Sequence, residues 1–167
     1  MCGGVRFTYD PAQRTALSEY YSDSQLAGFA ARGTVESVFW QPRPLLPVAE
    51  ADSIRVLPWG NRDTQSPLPA TGWIRNESLV AGKWDRWRPQ PVVIPALQGV
   101  EKQVWFTINR GIAGCLVYHN DVAHIYMLTL DADPAFHALT GHDRMPALID
   151  QVVITPIGAV PYQPELL

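Results

Sequence analysis

The sequence predicts a single strand-dominated α+β domain, and three observations point that way. Short runs rich in β-branched and aromatic residues recur along the chain, each bounded by turn-forming residues. Fifteen prolines and twelve glycines leave little room for long helices. A length of 167 residues, 47% of them apolar and 17% charged, suits one globular unit with its own core. No internal repeat, low-complexity tract or linker divides it.

Val5–Tyr9 reads as a first short strand. Asp10-Pro11 is a helix start, with Asp as N-cap and Pro in the first turn. The helix is expected to reach about Tyr21, with a looser continuation through Ser24–Ala31. Val35–Trp40 is a strand leading into Pro42-Arg43-Pro44, whose prolines impose an extended or turning path. Ile54–Pro58 is another strand, and the polar stretch Asn61–Gly72 a loop. Ser78–Trp87 has the character of a short helix. Val92–Ala96, Val104–Asn109, Gly114–His119 and Ala123–Leu130 read as strands, with Asn120-Asp121 turning between the last two. Asp133-Pro134 repeats the capping device and opens a helix through Thr140 that stops at Gly141. Val152–Thr155 is a last strand before a proline-rich tail.

Composition narrows the function classes. No apolar stretch reaches the roughly 18 residues of a membrane span, and no basic region followed by an apolar core marks a signal peptide. Two cysteines, Cys2 and Cys115, exclude a disulfide framework, and their spacing makes no zinc pattern. The expected location is the cytoplasm, with no metal and no cofactor. A net charge of −3 argues against a general nucleic-acid binder. The charge is uneven, however: residues 62–110 hold seven Lys/Arg against four Asp/Glu, whereas residues 111–167 hold one against six. A modest basic region can still hold a few phosphates.

Four features carry chemistry. Met1 precedes a small residue, so its removal is expected, leaving Cys2 at the N-terminus with amine and thiol on adjacent carbons. That pair condenses with an aldehyde to an imine and closes to a thiazolidine, which no internal cysteine can do. Ile94–Glu101 reads as a strand entering a glycine-containing turn that presents Glu101, a carboxylate able to orient or deprotonate an amine. Gly141-His142-Asp143-Arg144-Met145-Pro146 holds His142 just past a helix stop, where an imidazole can titrate near neutrality. His119, His124 and His137 fall in regular elements, and Cys115 reads as a buried strand cysteine. Finally, Trp73, Arg75, Asn76, Lys83, Trp84, Arg86, Trp87 and Arg88 interleave rings and cations. That pattern suits either single-stranded nucleic acid or tryptophans in a core with arginines reaching outward.

In this order, the segments resemble the SRAP (SOS-response-associated peptidase) family, which shields abasic sites in single-stranded DNA. The similarity lies in Met1-Cys2-Gly3, Pro42…Leu46-Pro47-Val48, Leu57-Pro58-Trp59-Gly60, Ile94–Glu101, Leu128-Thr129-Leu130 and His142-Asp143-Arg144-Met145-Pro146. The resemblance implies a barrel-like antiparallel fold with a few short helices, in a bacterial or phage-related protein that is nucleoid-associated when bound to DNA. It implies Cys2 as nucleophile toward the ring-opened sugar, His142 as the group assisting ring opening, and Glu101 as the group handling the amine. Arg6, Trp59, Arg75, Asn76, Lys83, Arg86 and Thr129 form the implied DNA-facing set. Gly4 stands where the family carries a phosphate-facing arginine, and Phe39 and Trp73 stand at two asparagine positions. Arg6 and Asn76 are the nearest substitutes. Three functions follow as expectations: covalent capture of abasic sites through Cys2, a non-catalytic nucleic-acid or protein-binding descendant, and a thiol-dependent peptidase or amidase.

Overall fold

The computed structural model describes residues 2–157. Met1, with its expected removal, and the tail beyond residue 157 lie outside the described residues.

The chain begins with β1 (Gly4–Thr8), then a 3-10 turn (Pro11–Gln13) that runs into the single-turn α1 (Arg14–Leu17). There follow α2 (Asp23–Arg32), β2 (Thr34–Val38), β3 (Leu45–Ala49), β4 (Ile54–Pro58), β5 (Trp73–Arg75) and α3 (Asn76–Val80). A second 3-10 turn (Asp85–Trp87) leads to β6 (Gln90–Ile94), β7 (Ala96–Glu101), β8 (Val104–Thr107), β9 (Ile112–His119) and β10 (Val122–Asp131). Helix α4 (Pro134–Thr140) and strand β11 (Arg144–Pro146) complete the set. The result is a strand-rich α+β domain.

Three sheets form. One is antiparallel in the order β2-β1-β7-β8. A second runs β11-β10-β9-β6, with β5 added in parallel to β10, and β3 and β4 make a two-stranded ribbon. The barrel-like closure implied by the resemblance is therefore corrected. Among the described residues β3 and β4 pair as strands only with each other, so no closed ring forms there.

Local chemistry explains where elements depart from expectation. The continuation after Tyr21 is the better helix, because Ser22 and Gln25 form a reciprocal capping box and Gly33 ends it at φ 71°. β3 arises despite Pro47, and β5 is a three-residue strand too short to carry a pattern. Gly82, at φ 74°, ends α3, so Ser78–Trp87 is not one helix. Gly99 sits inside β7 rather than in a turn; the turn before β8 is Lys102-Gln103, both at positive φ. Val152–Thr155 makes no strand. Its neighbour Pro156 forms a single bridge to Phe106, since proline has no N–H to extend a ladder. Asn120-Asp121, at φ 48° and 60°, makes the expected β9–β10 turn, and α4 has the expected Asp133 cap and Gly141 stop.

The main core draws Val5 and Phe7 from β1, Leu26 and Phe29 from α2, Leu45 and Leu46 from β3, and Ile125 and Met127 from β10. A second cluster packs Ile74, Trp84, Cys115 and Tyr126. Among the described residues no helix is long and apolar enough to cross a membrane. Phe106 is fully buried, edge-to-face with Phe136 at 5.5 Å. Truncation there leaves a cavity that this rigid sheet cannot fill. Phe106→Ala should cost about 3–5 kcal/mol in denaturant unfolding, and a loss under about 1 kcal/mol would show that the site collapses around the gap.

Candidate functional site

β1 lies in the middle of its sheet, and the two residues before it are held from three sides. The Gly3 N–H donates to Val100 O at 2.8 Å, the Phe39 N–H donates to Gly3 O at 2.9 Å, and Trp73 Nε1 donates to Cys2 O at 3.1 Å. The Cys2 side chain turns inward and has no exposed surface. Its Sγ–H donates to Gly4 O at 3.1 Å and packs against Gly99, where a Cβ would stand 3.0 Å from Sγ and 2.7 Å from the Phe106 ring. Burial, helped by the negative charge of Glu101, pushes the thiol up to about 12. The sulfur is thus a neutral thiol near pH 7. Gly4 has a packing reason of its own. A Cβ there would lie 2.7 Å from Val38 and 2.9 Å from Val100, so an arginine at that position does not fit this sheet.

Glu101 ends β7 and is buried, close enough to act electrostatically on Cys2. The next residue reaches across to the other candidate. Lys102 Nζ donates to Gly141 O at 2.8 Å, tying the β7–β8 turn to the loop that carries His142. Half-buried His142 accepts the Arg144 N–H on Nδ1 at 3.0 Å, and its own N–H donates to Thr140 Oγ1 at 3.2 Å. A donor facing Nδ1 needs a lone pair there, so the imidazole proton sits on Nε2. Cys2 and Glu101 are therefore neighbours, and a lysine clamp fixes the His142 loop to the same turn.

Arg144 is the hub behind that loop. Its guanidinium donates to Glu77 Oε1 and Oε2 at 2.6 and 3.0 Å, to Asp131 Oδ1 at 2.5 Å, and to Thr129 O and Oγ1 at 2.9 and 3.2 Å. The clamp joins α3, β10 and β11, and its backbone N–H orients His142. Asp143, as expected of an adjacent residue, is turned elsewhere: it pairs with His137 at 3.2 Å.

The DNA-facing set divides. Trp59 is 1% exposed, donates Nε1–H to Gly72 O at 3.0 Å and packs edge-on against Phe39 and Trp73. Thr129 is fully buried, its hydroxyl donating to Ile74 O while accepting from Arg144. Neither presents a surface to a strand of DNA, which corrects both expectations. Arg6 is engaged by Glu36 at 2.9 Å and Gln98 at 3.0 Å, and lies 3.8 Å over the Trp105 ring. Arg75, Lys83 and Arg86 are exposed and Asn76 is half-buried, while Trp84 is buried and Trp73 and Trp87 pack against the cores. The tryptophans of this segment are core residues and its cations reach outward.

One aromatic residue escaped the sequence reading. Trp40 is 67% exposed, and its ring lies over Gly3, where a Cβ would meet it at 2.9 Å. A large indole left uncovered beside Cys2 is a platform on which a base can stack. The one available signal was its place just before Gln41-Pro42, outside any alternating pattern. Among the described residues no group of three His, Cys, Asp or Glu side chains could hold a metal ion. No family model, curated protein or solved structure matches the chain.

The clamp has a pH signature. Hydrogen bonds from Arg144 hold the Glu77 carboxyl down at about 2, from an ordinary 4.5. A lowered folded-state value stabilises the native state above pH 4.5, and that contribution disappears as pH falls from 4.5 toward 2. Glu77→Gln should therefore lower the thermal midpoint at pH 7 and leave it unchanged near pH 2. A gap of equal size at both pH values would mean that the carboxylate charge is not what Arg144 holds.

Proposed function

We propose that the chain captures abasic sites in single-stranded DNA covalently, through Cys2 once Met1 has been removed. The observation that carries this reading is the setting of Cys2: its backbone is fixed by hydrogen bonds from Trp73 and, through Gly3, from Phe39 and to Val100, with the buried carboxylate of Glu101 at its side. The resemblance to the SRAP family supports it further.

The chemistry follows from the protonation states. A thiol held at about 12 is a poor first nucleophile near neutrality, so the amine begins the reaction. His142, carrying its proton on Nε2, is suited to donate a hydrogen bond to the sugar ring oxygen as the C–O bond breaks, the C1′ hydroxyl proton moving to that oxygen and leaving the aldehyde. The amine nitrogen adds to the carbonyl carbon and one water leaves, giving an imine. The S–H then adds across the C=N bond: sulfur bonds to carbon, and the proton ends on nitrogen, relayed through Glu101. One aldehyde and one aminothiol thus become one thiazolidine and one water, with no oxidant or reductant required. Ring closure needs the Cys2 side chain to leave its inward position, giving up the Sγ–H to Gly4 O bond and its packing against Gly99.

A second reading, a nucleic-acid-binding module without covalent chemistry, is favoured by one observation: the Cys2 thiol is fully buried. Protein freed of Met1 and incubated with single-stranded DNA carrying one abasic site should give a slow-migrating band that survives denaturation. Cys2→Ala should abolish it, and Glu101→Gln or His142→Ala should slow it by about 100-fold or more. Salt-sensitive binding without an adduct would favour the second reading, and an equal adduct from Cys2→Ala would reject the first.

A further inference from the structure

Away from Cys2, a cleft of about 410 Å³ opens between the end of the α1 region, the Pro42–Pro44 run and the loop that follows β4. Its size lies within the range of small-molecule sites. Two arginines border it. The Arg43 guanidinium lies over the Tyr20 ring, 4.4 Å from its centroid, which fixes its plane and leaves its N–H edges open. Arg62 Nη1 donates to Phe39 O at 3.2 Å and Gln41 O at 2.6 Å, so the side chain is held in place by carbonyls rather than by a carboxylate. Among the described residues neither arginine has an acidic partner, whereas Arg6, Arg55, Arg110 and Arg144 each have one. Asp63 also lines the cleft, but its Oδ1 accepts the Gln65 N–H at 2.8 Å within its own loop.

The third polar group is His124. Its Nδ1 lies 2.8 Å from Gly60 O, and a carbonyl can only accept, so Nδ1 carries the proton. In that tautomer Nε2 is the acceptor. Pro42 and Pro58 supply an apolar wall beside these groups. Past His124 the cleft continues into a second depression, which shares Asn61, Asp63 and His124 and extends to Ser66 and His119.

Two positioned guanidiniums without acidic partners, an imidazole acceptor and an apolar wall are complementary to an anion attached to a flat polar ring. We infer that this cleft binds a nucleotide, its phosphate on Arg43 and Arg62 and its sugar hydroxyl or base N–H on His124 Nε2. The same chemistry is met by a free mononucleotide and by one nucleotide of a single strand, for which the second depression has room. The packed rings of Phe39, Trp59 and Trp73 stand between this cleft and the Cys2 backbone, so the site does not require covalent chemistry at Cys2.

The test uses the whole chain with Cys2→Ala, so that covalent capture plays no part. Thymidine, thymidine 5′-phosphate and a thymidine tetranucleotide are titrated in turn while backbone amide resonances are followed. The nucleotide and the tetranucleotide should shift the amides of Arg43, Gly60, Asn61 and Arg62, and thymidine should shift them far less. Arg43→Glu, at an exposed position, should keep the thermal midpoint and weaken binding of both phosphates by about tenfold or more. Tighter binding of the tetranucleotide identifies a strand as the source, and tighter binding of the mononucleotide identifies a free nucleotide. Equal shifts with thymidine, no shifts at about 10 mM ligand, or undiminished binding by Arg43→Glu would overturn the inference.

Discussion

The structure turns on the pairing of β1 between β2 and β7. Most of its ladder is fixed by register, Gly4 facing Val38 on one side and Val100 on the other, and the Gly3 N–H to Val100 O bond extends it toward Cys2. A strand with neighbours on both sides cannot fray as an edge does, so Cys2 inherits the rigidity of the sheet. The same pairing puts Glu101 beside it, because β7 ends where β1 begins. It also explains Gly4 and Gly99: two side-chain positions next to the cysteine are occupied by neighbouring valines, the Phe106 ring and the sulfur itself. Position and burial are thus two consequences of one constraint. The backbone of Cys2 is fixed by hydrogen bonds, while burial holds its thiol neutral.

Around this strand the charged groups are used largely for positioning. Arg144 spans two carboxylates and the Thr129 backbone, and its own backbone N–H sets the His142 tautomer. Lys102 holds the His142 loop to the turn that follows Glu101. Phe39, Trp59 and Trp73 pack as an aromatic cluster that carries the indole donor for the Cys2 carbonyl. Cations spent in this way are not open to phosphate. Exposed cations without acidic partners among the described residues include Arg43, Arg62, Arg75, Lys83 and Arg86, all outside β1.

What could be read in the sequence was what local chemistry determines. Asp133-Pro134 and Gly141 bounded α4, and Asn120-Asp121 supplied the two positive-φ positions of the β9–β10 turn. Apart from Val152–Thr155, the β-branched runs became strands within a residue or two. What could not be read depended on tertiary partners. β3 holds Pro47 in mid-strand, which its pairing with β4 tolerates. Gln98-Gly99 reads as a turn, but Gly99 is in a strand because the Cys2 sulfur and Phe106 leave no room for a side chain. Trp59 and Thr129 sit in motif-like segments, and nothing local distinguishes a buried scaffold residue from one that meets a ligand. Of the three candidate residues, Cys2 and Glu101 meet across β1 and β7, a proximity that only strand order creates. The exposure of Trp40 has no sequence signal beyond its odd position.

The central claim is that the amine and thiol of one residue both bond to a sugar carbon. Intact-mass measurement of the protein–DNA adduct, before and after treatment with cyanoborohydride, tests this directly. A thiazolidine gives the mass of the Met1-free protein plus DNA less one water, and the reductant leaves it unchanged. An adduct that gains two hydrogens is an open imine, and one that retains Met1 has another nucleophile; either result would contradict the claim.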